Sequence, residues 1–242
     1  MSEQKNASQK MIVFEMDDTL LRGRFIDACA DKFVFDEELT RLRQTEKDPV
    51  VLIKSVGKLF QGLSEDQLLT VISRMTIIDE AAKVIKQLQK QGHIVGIISD
   101  SFQFAVDYIK KMLGADFAIG NRLEFAEGKV TGEITVPAYY YYQSNDSCDH
   151  NYCKSNALMY AGKSYNISPS ETIAVGAVAN DICMIQKAGV GIAFCTKDKE
   201  LRMAADKTID KLSFALLLDI ERLVSETGKQ PSGLKNKLNN FF

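Results

Sequence analysis

The decapeptide IVFEMDDTLL at residues 12–21 constrains this chain more than any other segment. An apolar run from Ile12 to Phe14 leads straight into Glu15, Asp17 and Asp18, and then Thr19. The run reads as a buried strand. A buried strand that ends in carboxylates is costly to build, because desolvated like charges are unfavourable unless a cation or a proton neutralises them. A hard divalent cation with oxygen ligands is the usual remedy, and Mg²⁺ is common where phosphate is handled. The plainer alternative is a strand followed by a solvated acidic turn.

The 242 residues, 45% hydrophobic and 26% charged, suffice for one large domain or for a core with a smaller insertion. A net charge of −2 gives no basic footprint for nucleic acid. No apolar run approaches the ~20 residues of a membrane span. The polar start MSEQKNASQK has no secretory pattern, so a cytoplasmic location is expected. Five scattered cysteines (Cys29, Cys148, Cys153, Cys183, Cys195) read as reduced thiols rather than a disulfide framework.

Residues 22–75 show helical spacing, with Leu52, Val56, Leu59 and Phe60, then Leu68, Leu69 and Ile72. Strands are expected at His93–Ile98, ending in Ser99-Asp100-Ser101, and at Asp116–Ile119, Thr172–Gly176 and Val190–Phe194. A hairpin is expected around Glu127-Gly128. Helices are expected at Asp79–Gln91, at Phe102–Leu113 with Gly114 as C-cap, and at Lys154–Tyr165. This alternation predicts an α/β fold with a doubly wound parallel sheet. In such sheets ligands bind beyond the carboxyl ends of the strands. Three strand ends carry polar clusters here: Glu15–Thr19, Ser99–Ser101 and Ala177–Asp181.

On these motifs, the chain resembles the haloacid dehalogenase superfamily and, within it, the phosphoserine phosphatase group. The likeness spans about residues 11–212, including IISDSFQFAVDYIKKMLGADFAIGNRLEFAEGKVTGEI and TIAVGAVANDICMIQKAGVGIAF. The resemblance implies a Rossmann-like core at residues 1–21 and 77–224 and a small helical cap at 22–76 inserted after the first strand, while Gly228, Pro231, Gly233 and several Lys and Asn make residues 225–242 read as a flexible tail. It places Glu15 at the nucleophile position, Asp17 at the acid/base position and Lys154 at the position that neutralises the transferring phosphoryl group. Thr19, Arg24, Ser99, Asp100 and Asn180 become substrate-binding candidates. Glu15, Asp17 and Asp181 become metal-ligand candidates for Mg²⁺.

The departures from the family pattern are as informative as the matches. Glu15 replaces an aspartate and lengthens the attacking arm by one methylene, and a ~1 Å misplacement costs on the order of 10²-fold in rate. Ala177 stands where the family has an aspartate that ligates Mg²⁺, so metal binding is expected to be weakened or absent. Val178 replaces a glycine, and Asp100 stands at a glycine position. Arg24 falls where the group has a glutamate, and Ser55 about where it has an arginine. The expected function is a phosphoserine-phosphatase-like protein with weak or lost phosphomonoester hydrolysis that still binds a small phosphorylated metabolite. One alternative is an active Mg²⁺-dependent phosphomonoesterase that works through a carboxyl-phosphate intermediate. A non-catalytic interaction module is the other.

Two further features stand outside the resemblance. Cys148, His150 and Cys153 have C-x-H-x-x-C spacing, but structural zinc takes four protein ligands, so the segment reads as a flexible excursion at the sheet edge. Tyr139–Tyr142, read as a strand, buries two rings and exposes two, which makes Tyr139–Cys153 a candidate surface for a protein partner, with core packing against the hairpin the plainer account. Cys183 and Cys195 sit in apolar contexts and are expected to be buried, inert thiols.

Overall fold

A computed structural model describes residues 9–141 and 148–227. Seven strands form one sheet: β1 Met11–Phe14, β2 Ile94–Phe102, β3 Phe117–Ala126, β4 Lys129–Thr135, β5 Thr172–Gly176, β6 Val190–Phe194 and β7 Lys207–Ile209. Their order is β4-β3-β2-β1-β5-β6-β7. All neighbours are parallel except the β3–β4 hairpin. The mostly parallel α/β sheet agrees with the fold class expected from sequence. The short β7 carries too few apolar residues to announce itself.

Every residue of β1, β5 and β6 is buried, as a parallel sheet covered on both faces requires. Ile12 and Phe14 enter one hydrophobic cluster, while Met11 and Val13 enter a second on the other face. The strand register brings three carboxyl ends together. Phe14 pairs with Ile97 of β2 and Val175 of β5, so Glu15 emerges between the next residues of both strands. The expected second strand runs further than Ile98, to Phe102, with a register shift between Ile98 and Phe102. That irregularity turns Ser99–Ser101 out of the regular ladder at the strand end.

Of the five α-helices between β1 and β2, the first four form an insertion: α1 Phe25–Phe33, α2 Asp36–Thr45, α3 Pro49–Leu59 and α4 Glu65–Arg74. The starts of α3 and α4 are chemically marked. Asp48 caps α3 through the Val50 and Val51 amides with Pro49 in the first turn, and Ser64 and Gln67 form a capping box on α4. The chain enters and leaves this helical insertion at one place, where Arg22 N donates to Thr76 O (2.9 Å) and Ile78 N to Leu20 O (2.9 Å). Gly57 of α3 lies so close to β4 that an added Cβ would sit 2.6 Å from the Ile134 side chain. Phe60 of the insertion packs edge-on against Phe102 of β2 at 4.9 Å, so insertion and sheet share one core.

The remaining helices are α5 Ala81–Lys90, α6 Gln103–Leu113, α7 Lys154–Tyr165, α8 Ile182–Lys187, α9 Lys199–Ala204 and α10 Ile220–Glu226. Helix α6 ends on Gly114 in the left-handed conformation (φ 74°), as the sequence predicts. Ser225 and Glu226, assigned to a flexible tail from sequence, form the last turn of α10, and residues 228–242 lie outside the described residues.

Two expectations need correction. The tyrosine run is a 3-10 turn (Ala138–Tyr141), not a strand. Tyr140 is fully buried, while Tyr141 is 39% exposed. Tyr142 lies outside the described residues. The Tyr140 hydroxyl donates to Ser99 O (2.5 Å), and its ring stacks on Tyr152 at 4.8 Å, so this run is tied inward. Cys195 is exposed and Cys183 half-buried, because both lie where the chain leaves a strand or begins a helix rather than inside one. No helix among the described residues is long and apolar enough to cross a membrane.

Candidate functional site

The ends of β1, β2 and β5 and the first residue of α7 supply the site. Lys154, at the start of α7, is 2% exposed. Its ammonium donates to Glu15 Oε2 and to Asp181 Oδ1 (2.7 Å), with Asn180 Oδ1 at 3.4 Å and Asp100 Oδ2 at 3.5 Å. One buried cation therefore serves three carboxylates. Burial alone would lower the lysine's proton affinity, but Asp100, Asp181 and Glu15 outweigh it and hold Lys154 well above the usual range.

Glu15 is 2% exposed, and both its oxygens are engaged. Oε1 accepts from Ser99 Oγ (2.6 Å) and from Asp17 N (3.3 Å), while Oε2 accepts from Lys154. Its backbone N–H is held by Val175 O of β5 (2.9 Å). Asp181 is fully buried, and its second oxygen accepts from Ala177 N (2.9 Å) and Val178 N (3.0 Å). Gly176 makes this placement possible, since a Cβ there would lie 2.6 Å from the Asp181 carboxyl.

Other sequence-predicted residues fall around this centre. Asp17 Oδ1 accepts from Phe25 N (3.0 Å), which ties the acid/base candidate to the first helix of the insertion. Arg24 does not join the Lys154 cluster; its Nε pairs with Asp18 Oδ2 at 2.8 Å on the partly exposed side. Asp100 accepts from Tyr152 Oη (3.0 Å) and from Asn180 Nδ2. Thr19 is fully buried, and its Oγ1 has no hydrogen-bond partner among the described residues. Ser55 lies within α3.

Three residues escaped the sequence reading. Tyr140 and Tyr152 buttress Ser99 and Asp100. Asn121 donates to Asp100 O (2.7 Å) and to Tyr152 Oη (3.1 Å). Asn121 is fully buried within the strand Phe117–Ala126, and a lone asparagine in a strand carries no sequence signal of that burial.

Burial pushes the Glu15 carboxyl up to about 8 against the pull of Lys154, with Asp181, Asp100 and Asp17 adding to the rise. Burial likewise pushes Asp17 up to about 7. A folded state that keeps protons the unfolded chain has released loses stability as pH rises through that window. The stabilisation is fully present below the ordinary values of 4.5 and 3.8 and is gone above about 8. Guanidinium denaturation should therefore show unfolding free energy falling between pH 5 and pH 8, by up to about 1.4 kcal/mol per pH unit for each retained proton. Glu15→Gln should flatten the slope, and a wild-type protein that gains stability across this interval would contradict the assignment.

The donor set suits Mg²⁺ poorly. Mg²⁺ requires near-octahedral oxygen ligands at ~2.0–2.1 Å. Ala177 offers no side-chain oxygen, and Asp181 commits both of its oxygens to Lys154 and to two amides. The Lys154 ammonium already bridges Glu15 and Asp181, where a shared cation would have to sit.

The haloacid dehalogenase-like hydrolase family model matches residues 12–186. The phosphoserine phosphatase of Methanocaldococcus jannaschii is 33% identical over 207 residues, which are 84% of this chain and 93% of that protein. The phosphoserine phosphatase of Archaeoglobus fulgidus is 30% identical over 229 residues, which are 93% of this chain but 63% of that protein, so the chain spans less than two thirds of that relative's length. A solved structure described as a phospho-aspartyl intermediate analogue of phosphoserine phosphatase is 30% identical and matches with a TM-score of 0.73 over 90% of this chain and 100% of that one. The chain belongs to the haloacid dehalogenase-like hydrolase family, as a phosphoserine-phosphatase-like member of it.

Proposed function

We propose that this protein binds a small phosphorylated metabolite at the Glu15–Lys154–Asp181 centre and hydrolyses phosphomonoesters weakly or not at all. The observation that carries this reading is the Lys154 ammonium shared between Glu15 and Asp181, with Ala177 in place of a carboxylate next along the chain from Gly176. A nucleophile needs a free, ionised lone pair directed at phosphorus. Glu15 instead holds a proton up to about 8 and has both oxygens engaged by Ser99, Lys154 and the Asp17 amide.

The same groups favour holding an anion. Lys154 supplies a buried positive charge at the start of the twelve-residue helix α7, whose N-terminal end adds favourable partial charge. Ser99 supplies a hydroxyl, and the buried Thr19 Oγ1 and Ser101 Oγ have no partner among the described residues. A phosphate oxygen is the kind of acceptor such donors lack. Arg24, Asp100 and Asn180 border the centre and would set which organic portion is admitted.

One observation favours residual turnover. Asp17, pushed up to about 7, sits where a general acid/base works best near neutral pH. In that second reading Glu15 attacks phosphorus and Asp17 protonates the leaving oxygen, with Asp181 holding Lys154 in place.

Calorimetric titration with phosphoserine and with inorganic phosphate, run beside a turnover assay on phosphoserine with Mg²⁺, separates these readings. The proposal expects saturable binding and little release of phosphate. Rapid turnover that Glu15→Gln abolishes would establish the second reading instead. Absence of both binding and turnover would leave the fold as an interaction module.

A further inference from the structure

Four soft ligands converge beside the phosphate-binding centre, on residues that the family chemistry does not use. Cys148, His150 and Cys153 come from the segment leading into α7, and Cys183 comes from the first turn of α8. Their Sγ atoms and a His150 ring nitrogen all lie within 4.8 Å of one another. His150 Nδ1 is 3.4 Å from Cys183 Sγ, so the ring faces the thiols. Sequence spacing offered only the first three of these residues. Cys183 is the fourth ligand that a structural zinc site needs, and the fold brings it from a distant part of the chain.

We propose that Cys148, His150, Cys153 and Cys183 form a four-coordinate Zn²⁺ site. Three thiolates and an imidazole are the donor set for tetrahedral zinc, with Zn–S ~2.3 Å and Zn–N ~2.0–2.1 Å. Those bond lengths put neighbouring ligand atoms roughly 3.5–3.8 Å apart, so the four side chains need close by only about 1 Å. Soft sulfur ligands select zinc over Mg²⁺ or Ca²⁺. The outer contacts also fit. Ser155 Oγ donates to Cys153 Sγ (3.1 Å) and lies 3.3 Å from Cys148 Sγ, which is the kind of support that orients metal-bound thiolates. Binding would release the thiol protons to solvent.

The placement assigns the ion a task. Cys153 immediately precedes Lys154, and Cys183 lies two residues beyond Asp181. Zinc would tie these two positions together and hold the Lys154–Asp181 pair, 2.7 Å apart, in register. Four protein ligands leave no open coordination position, so the ion is structural rather than catalytic. This inference does not depend on whether the neighbouring centre binds or cleaves a phosphoester.

Full-length protein purified without chelators should carry equimolar zinc by elemental mass spectrometry. A strong chelator should remove the zinc and lower Tm, and added Zn²⁺ but not Mg²⁺ should restore it. Co²⁺ in place of zinc should give thiolate-to-cobalt charge-transfer and tetrahedral d–d absorption. Cys183→Ser should weaken zinc affinity by at least about tenfold, the lower range seen when even an outer-shell partner is lost. If that variant does not fold, wild-type chelation and cobalt spectra decide alone. Protein without zinc that takes up none on titration overturns the proposal, as does a disulfide among Cys148, Cys153 and Cys183 in the native protein. Cys183→Ser with unchanged zinc affinity overturns the four-ligand assignment.

Discussion

The double variant Glu15→Asp with Ala177→Asp should hydrolyse phosphoserine in the presence of Mg²⁺ at least about 10²-fold faster than wild type, the scale set by a ~1 Å correction at the attacking atom. Glu15→Asp withdraws the carboxyl by one methylene from its engagement with Ser99 and Lys154. Ala177→Asp adds an oxygen donor at a buried position directly after β5, where Asp181 is otherwise committed to Lys154 and two amides. The two changes act on one unit. Each single variant should therefore gain little, and the double should exceed the product of the singles. A second readout guards against a folding artefact: Mg²⁺ should raise Tm of the double variant and leave wild type unmoved. A folded double variant with no gain in turnover would mean that these two residues do not limit catalysis.

The expectation behind that variant was legible in the sequence because it depends on strands. β1, β5 and β6 are apolar on both faces, so Ile12–Phe14, Thr172–Gly176 and Val190–Phe194 stand out as short uninterrupted runs. Their ends then locate Glu15 and Asp181 without any side-chain geometry. The hairpin was equally open, since Glu127-Gly128 supplies the two positive-φ residues (49° and 74°) that a tight turn demands.

Residue patterns alone do not carry long-range pairing, and only the family resemblance brought Glu15, Lys154 and Asp181 to one site. Lys154 and Glu15 are 139 positions apart, and nothing local says that one ammonium will serve three carboxylates. Tyr139–Tyr142 looked like a strand because tyrosine favours strands, yet the Tyr140 hydroxyl finds Ser99 O only if the backbone coils. Cys183 was read as inert because its neighbours Ile182, Met184 and Ile185 are apolar. Helix α8 buries Met184 and Ile185 and leaves Cys183 half-buried, facing Cys148, His150 and Cys153.

Lys154→Met should cost about 3–5 kcal/mol of stability, the range measured when one partner of a buried ion pair is removed. Methionine keeps most of the stem volume, so the loss is electrostatic rather than a cavity. Glu15, at 2% exposure, and Asp181, fully buried, would face each other with no cation between them. Asp181 would keep its two backbone donors on one oxygen and lose its partner on the other. Without the pull of the ammonium the Glu15 carboxyl would be pushed above about 8, so the variant would keep that proton where wild type has released it. The deficit should therefore be nearly constant below about pH 8 and grow as pH rises through it, read by guanidinium denaturation. Above about pH 8, where Glu15 is drawn toward ionisation, adding Glu15→Gln to Lys154→Met removes one of the stranded groups and should recover part of the loss, a coupling that a double-mutant cycle measures directly. If Lys154→Met is near neutral above about pH 8, or if Glu15→Gln adds its own full cost on top, the three carboxylates do not depend on this ammonium. The proposed phosphate-binding centre would then have to be assigned elsewhere.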